Sequence, residues 1–251
     1  MDKQALAHRF EIAGAVNSDG ERAVGAPHPP AGVPVGASAL ALLAPPSLRV
    51  RGLYERFVKR VMDVLVCAIL SVLALPLLIA VGLALSVTMG SPVIFRQQRV
   101  GINGRIFTIF KFRTMLPDRR KNSLEEYQGP ERRQRHKSPD DPRVTPIGKF
   151  LRKWSIDELP QLWNVLRGDM TLVGPRPELV EIVQRYQPWQ HRRHAVKPGV
   201  TGLWQISGLR DGLMHEHVEV DLNYVNQISF KTDMQIMLRT ISAVLGKSVG
   251  C

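Results

Sequence analysis

From Val64 to Phe95 the chain runs without a single charged residue. That span exceeds the ~20 apolar residues a membrane-crossing helix needs, so the pattern predicts a membrane element. The other reading is a buried helical hairpin in a soluble core. Pro76, in the middle, lacks an N–H and breaks or kinks a helix. Arg51, Arg56, Lys59 and Arg60 precede the run and Arg96, Arg99 and Arg105 follow it, whereas a crossing usually has one basic flank. The arms Val64–Leu75 and Leu77–Met89 are each ~18–20 Å long, short of a ~30 Å hydrocarbon core. A re-entrant hairpin bent at Pro76, entering and leaving on the cytoplasmic face, satisfies both constraints and is preferred to a crossing. Ser71 or Ser86 can serve the free backbone groups at the bend.

Beyond the run, Gly90-Ser91-Pro92 reads as a turn and Val93-Ile94-Phe95 as a short strand. Gly101-Ile102-Asn103-Gly104 turns the chain into a second strand, Ile106–Phe110, followed by Lys111 and Arg113 on one side of the alternation. Ile147–Arg152 is a short helix. Ser155 reads as the N-cap of the next, with Glu158 completing a capping box, Leu159, Leu162, Trp163 and Leu166 at helical spacing, and Gly168 as the stop. A further helix is predicted from Pro177 towards Tyr186. Lys197–Gln205 reads as a glycine-rich loop able to approach a ligand closely. His191-Arg192-Arg193-His194 reads as basic surface, since no acid or cysteine nearby completes a metal site. Ile228–Leu245 is an amphipathic basic segment, suited to a membrane interface or to packing on the core.

The fold class expected is α+β: a re-entrant membrane helix-break-helix joined to a small, mainly helical cytoplasmic domain with short β elements and amphipathic interfacial helices. Residues 1–50, rich in Ala, Gly and Pro, are expected to form a disordered arm. Residues 51–92 are expected to form the membrane-embedded hairpin and 93–251 the cytoplasmic domain, ending in the amphipathic segment. Lys121 to Pro142 is expected to be a mobile charged loop.

Composition narrows the partners. The 251 residues carry a net charge of +12 and a pI near 10.2, which points to a polyanion: nucleic acid, anionic membrane or a phosphorylated substrate. The apolar run and the lack of a recognition motif argue against nucleic acid. Two cysteines, Cys67 in the apolar run and Cys251 at the last position, suggest no disulfide framework. Residues 1–20 lack the apolar core of a secretory signal.

Asp157 and Glu158 stand side by side at a predicted helix start, where backbone N–H groups favour anions. One reading is that they cap the helix and nothing more. The other is chemical. Lys111, Arg113, Arg152 and Arg176 can hold a diphosphate, while the two carboxylates attack it and carry a divalent ion. Pro175 and Pro177 stiffen the backbone around Arg176, which suits a guanidinium aimed at a phosphate and equally a structural salt bridge. Glycoside hydrolysis needs carboxylates on opposite sides of the scissile bond, ~5–10 Å apart. Phosphoryl transfer suits an adjacent pair better, and a carboxylate can be its nucleophile.

Lys111-Phe112-Arg113-Thr114-Met115, Leu151-Arg152, Ser155–Leu162, Gly168-Asp169-Met170, Val173–Pro177 and Lys197–Gly202 together resemble the bacterial sugar transferases, the monotopic phosphoglycosyl transferases of exopolysaccharide type. The resemblance covers about Tyr54 to Gly246. It implies transfer of a sugar 1-phosphate from a UDP-sugar to polyprenyl (undecaprenyl) phosphate at the cytoplasmic face of the bacterial inner membrane, initiating a surface polysaccharide. By position it implies Asp157 as the nucleophile that releases UMP, Glu158 as its dyad partner, and Mg²⁺ near the pair. It likewise implies Arg152 on phosphate, Arg176 in a nucleotide-binding motif, Lys111 lining the site, and Pro76 as the membrane helix break. Later glycosyltransferases of the pathway are implied partners. Ile156 departs from the more usual Leu, and Leu75 precedes Pro76 where some members have Ser. The chain looks like the family's short, catalytic-core form, and the N-terminal transmembrane bundle of some members is not expected. A non-catalytic membrane scaffold in a polysaccharide assembly complex is the alternative.

Overall fold

In the computed structural model the described residues are 52–116, 141, 143–207 and 214–246. The expected arm over 1–50 lies outside them, as does the expected loop over 121–142 apart from Asp141.

The apolar run forms one long helix, α1 (Lys59–Met89), entered through a π-helical turn at Tyr54–Val58. Its best 18-residue window has a mean hydropathy of 3.0 and is only 11% buried, so it is not the hidden hairpin of a soluble core. The sequence reading divides this stretch into two arms at Pro76. The backbone instead assigns a single helix that continues through Pro76. Proline costs the carbonyl four residues earlier, that of Val72, its donor, but helical bonding resumes on both sides.

Both ends of α1 are seated on the same body. At its start, Asp63 accepts from the Thr171 hydroxyl at 2.5 Å and the Leu172 N–H at 3.1 Å. Arg60 donates to the carbonyls of Val165 and Leu166. Lys59 ion-pairs with Asp233 and donates to the Val173 carbonyl at 2.9 Å. The Tyr54 hydroxyl donates to Asp233 at 2.7 Å, and the Tyr224 hydroxyl lies 2.8 Å from both Asp233 Oδ1 and the Val173 carbonyl. At the far end Arg113 donates to the Met89 and Gly90 carbonyls. Val81 and Leu85 are buried beside Phe112 and Leu151, while Cys67 joins the larger core of Phe107, Ile109, Leu162, Val165 and Met170. Between these two seats Ile69, Val72, Leu73 and Leu75 are exposed. Lys59 and Arg60, read as a basic membrane flank, are therefore engaged inside the protein.

Strands β1 (Ile94–Val100) and β2 (Ile106–Phe112) form an antiparallel hairpin over the expected turn, with Ile94 opposite Phe112 and Phe95 opposite Lys111. Asn103 adopts a positive φ at the turn. Helix α2 (Pro146–Lys153) starts on Thr145, whose side chain accepts from the Gly148 N–H. Helix α3 (Gln161–Arg167) packs on β2, and Asn164, fully buried, ties them: Oδ1 accepts from the Phe110 N–H and Nδ2 donates to the Thr108 carbonyl. Gly168, at φ 89°, ends α3 as expected.

Strand β3 (Thr171–Val173) is followed by β4 (Glu178–Leu179), which pairs with β1. The helix expected from Pro177 shrinks to α4 (Val180–Val183). A 3-10 helix (Pro188–Ala195) leads to β5 (Gly199–Thr201). Part of the glycine-rich stretch is strand rather than loop: β5 pairs in parallel with β3. A Cβ on Gly199 would lie 2.1 Å from the Gly174 N, and one on Gly202 2.2 Å from the Gly174 carbonyl oxygen. These glycines let backbone meet backbone. Helices α5 (Leu203–Ile206), α6 (Val218–Asn226) and α7 (Phe230–Leu245) close the core. Helix α7 buries Asp233 and Ile236 and exposes Phe230, Leu238 and Ile241, which is the amphipathic pattern its sequence predicts.

Candidate active site

Three segments converge on the acidic pair. Lys111 is the penultimate residue of β2, Arg176 sits between two prolines just after β3, and Asp157 and Glu158 ride on a 3-10 turn, Ile156–Glu158, between α2 and α3. The capping-box expectation fails here. Ser155 adopts a left-handed conformation, φ 56°, and caps nothing with its side chain. Pro160 is the reason: in a helix begun at Ser155 its ring would press on the Ile156 carbonyl and offer it no N–H. That carbonyl accepts from the Leu159 N–H instead, and α3 begins only at Gln161.

Glu158 is the electrostatic anchor. Its Oε1 receives Lys111 Nζ at 2.5 Å and an Arg176 guanidinium N–H at 3.0 Å. Burial raises its pKa, but Arg176 and Lys111 together outweigh that and hold the carboxyl well below the usual range. Burial pulls Lys111 below a normal lysine, with Glu158 opposing. Glu158 in turn keeps Arg176 charged.

Asp157 is held differently. Among the described residues no hydrogen bond reaches its carboxylate. Burial first, then repulsion from Glu158, pushes its pKa up to about 6, against the pull of Lys111, Arg152 and Arg176. The result is a half-buried carboxylate with free lone pairs, beside three cations.

Of the predicted site residues, Lys111, Arg152, Arg176, Asp157 and Glu158 come together. Arg152 is steadied by its Nε donating to Thr114 Oγ1 at 2.9 Å. Arg113 does not join them, because its guanidinium is turned to the Met89 and Gly90 carbonyls at the end of α1. Pro76 lies inside α1, away from the acidic turn. Sequence reasoning missed Thr114, Asn164 and Arg193. Thr114 alone carried a signal, as part of the Lys111–Met115 motif. The expected basic surface at His191–His194 is corrected: Arg193 and His194 are buried, and burial drives His194 well below an ordinary histidine.

Among the described residues no group of three or more His, Cys, Asp or Glu side chains forms a cation cage. Glu158 is already shared between two cations, which leaves Asp157 as the one unengaged carboxylate of the pair. Such a site fits a Mg²⁺ that keeps its waters and takes a carboxylate plus substrate phosphates, rather than a metal resident in the protein.

A family model described as bacterial sugar transferase matches residues 54–247. The chain belongs to the bacterial sugar transferase family. It is 50% identical over 161 residues to the galactosyl transferase CpsE of Streptococcus agalactiae, a match covering 62% of this chain and 35% of that protein. It is 42% identical over 195 residues to a UDP-glucose:undecaprenyl-phosphate glucose-1-phosphate transferase of Caulobacter vibrioides, covering 74% of this chain and 69% of that protein. The exopolysaccharide production protein ExoY of Sinorhizobium fredii is 40% identical over 192 residues, covering 74% and 84%. The chain thus spans about a third of the length of the streptococcal relative and most of the other two.

Proposed function

We propose that this sugar transferase moves a sugar 1-phosphate from a UDP-sugar to undecaprenyl phosphate through a phosphosugar–aspartyl intermediate, initiating an exopolysaccharide. The observation that carries the reading is the unequal acidic pair: Glu158 is held ionised by Lys111 and Arg176, and Asp157, beside them, is bonded by none of the described residues. An Asp157 oxygen attacks the phosphorus that bears the sugar. The diphosphate P–O bond breaks, UMP leaves with the bridging oxygen, and an acyl phosphate forms on Asp157. A phosphate oxygen of the polyprenyl acceptor then attacks the same phosphorus, releasing the lipid diphosphosugar and restoring the carboxylate.

Lys111, Arg152 and Arg176 neutralise the charge that spreads over the phosphoryl oxygens in each step. Glu158 keeps two of these cations in place. Mg²⁺, bound through Asp157 and the donor's diphosphate, would supply further neutralisation. The parent names of two relatives support donor and acceptor: one is a UDP-glucose:undecaprenyl-phosphate transferase, another an undecaprenyl-phosphate galactose phosphotransferase.

The same reading places the protein at the cytoplasmic face of the inner membrane, where UDP-sugars are available, with α1 entering and leaving on that face. It is supported by the two seats of α1 on one body and by the apolar side chains it leaves exposed along its length, from Val61 and Leu65 through Val72 and Leu73 to Leu83 and Val87. The exposed Phe150 of α2 and Trp163 of α3, which flank the acidic turn in sequence, fit a site at the interface.

The test is intact-protein mass after incubating nanodisc-held protein with Mg²⁺ and a panel of UDP-sugars. A gain of one sugar phosphate together with UMP release is expected, and both should vanish in Asp157→Asn while its thermal unfolding stays cooperative. Turnover retained in Asp157→Asn would overturn the nucleophile.

A further inference from the structure

Arg176 is aimed at Glu158 from a segment with unusually few ways of being held. Pro175 and Pro177 have no N–H, so neither flanking residue can be fixed as a donor. The segment is gripped by its carbonyls instead, three in a row. The Pro175 carbonyl accepts from the Gly199 N–H at 2.9 Å. The Arg176 carbonyl accepts from an Arg193 guanidinium N–H at 2.6 Å. The Pro177 carbonyl accepts from Arg99 Nη1 at 3.2 Å. The prolines make the strip stiff, and these donors decide where the stiff strip lies.

The middle grip is the most elaborate. Arg193 is 1% exposed and Asp221, on α6, is 1% exposed. The same guanidinium nitrogen that holds the Arg176 carbonyl donates to Asp221 Oδ2 at 2.5 Å, and the other terminal nitrogen donates to the Tyr186 hydroxyl at 2.7 Å. Burying a charged pair is expensive and seldom stabilises a fold more than apolar packing would. What this pair does have is a rigid fork with one tine on the backbone of a site residue.

We propose that Arg193, balanced by Asp221 and oriented by Tyr186, is a positioning residue for the transfer reaction: it fixes the Arg176 carbonyl and so aims the Arg176 guanidinium at Glu158 and the donor diphosphate. The proposal rests on the reading of the Asp157–Glu158 turn as the transfer centre. Arg193 itself touches no reacting atom. Its effect passes through Arg176, and that dependence is what an experiment reads.

Four full-length proteins in nanodiscs are compared for UMP release: wild type, Arg193→Lys, Arg176→Ala and the double variant. A misplacement of ~1 Å at a site can cost ~100-fold, so Arg193→Lys, which keeps the charge and loses the fork, is expected to lower kcat by ~10–100-fold. In the Arg176→Ala background the same change should add less than about twofold, because the group being positioned is gone. Equal losses in both backgrounds would overturn the proposal, since Arg193 would then act independently of Arg176. If Arg193→Lys fails to fold, Tyr186→Phe, which removes one partner of the fork and leaves the ion pair, enters the same cycle. A readout independent of turnover separates this from the function itself. In protein labelled with ¹⁵N-arginine, the Arg176 Nε–H signal, assigned by its loss in Arg176→Ala, should exchange with solvent at least ~10-fold faster in Arg193→Lys. Unchanged exchange overturns the positioning role even if the wild type turns over no sugar in the panel.

Discussion

Glu158 takes two cations on a single oxygen, and Asp157, the next residue back, takes none among the described residues. Their opposite pKa displacements give opposite dependences on pH. Asp157 has a folded-state pKa raised to about 6 from 3.8, so between those values the folded protein binds more protons than the unfolded chain. Stability from this group therefore falls as pH rises through that window, and at neutral pH the ionised Asp157 costs about 1–2 kcal/mol after allowing for solvent screening. Asp157→Asn is expected to melt several degrees above wild type at pH 7.5 and level with it near pH 4. A lower melting point at pH 7.5 would contradict the electrostatics. Glu158 runs the other way: its depressed pKa contributes stability above the unfolded value that is lost on acidification. Turnover should decline as pH falls below about 6, where Asp157 takes up the proton that blocks its attack.

At the scale of elements, what could be read in advance depended on how local the determining contacts are. The β1–β2 hairpin, the stop at Gly168 and the two-faced α7 all follow from side chains within a few positions of each other, and sequence patterns show these directly. The start of α3 lies later than its local pattern predicts, because Ser155 and Glu158 match a capping box while Pro160, two residues beyond Glu158, forbids the helix they would cap. The acidic pair, Lys111 and Arg176 were legible as chemistry, but which carboxylate is tethered and which is free depends on segments far apart in the chain. Arg193 is illegible for a related reason: between Arg192 and His194 it looks like surface, and its burial is explained by partners brought in by the fold, Asp221 foremost, with Tyr186 and the Arg176 carbonyl. The parallel pairing of β3 with β5 is likewise non-local. Gly199 faces the Gly174 N and the Thr201 carbonyl at 2.1 and 2.4 Å from where a Cβ would stand. Gly199→Ala must part these strands, at about 3 kcal/mol, and a thermal midpoint within a degree or two of wild type would refute the packing.

For the whole molecule, the decisive geometry is a helix of 31 residues, about 46 Å at 1.5 Å per residue, long enough to cross a ~30 Å core yet seated at both ends on one body. Cysteines introduced at Gly52 and Arg105, which lie outside the two ends of α1, should both react with an impermeant thiol reagent only from the cytoplasmic side. Cys251→Ser provides the background, and buried Cys67 stays silent. Labelling of either position from the periplasm would establish a crossing.

The polar residues that open α1 are interior parts of the body on which the helix is seated. Asp63 serves the start of β3, Arg60 the end of α3, and Lys59 neutralises the fully buried Asp233. This long apolar helix is therefore not a cassette that could be exchanged for another of equal length and hydropathy. A transplanted helix without these three side chains would strand a buried carboxylate and orphan the β3 backbone. The freedom to vary lies in the exposed stretch between Cys67 and Val81.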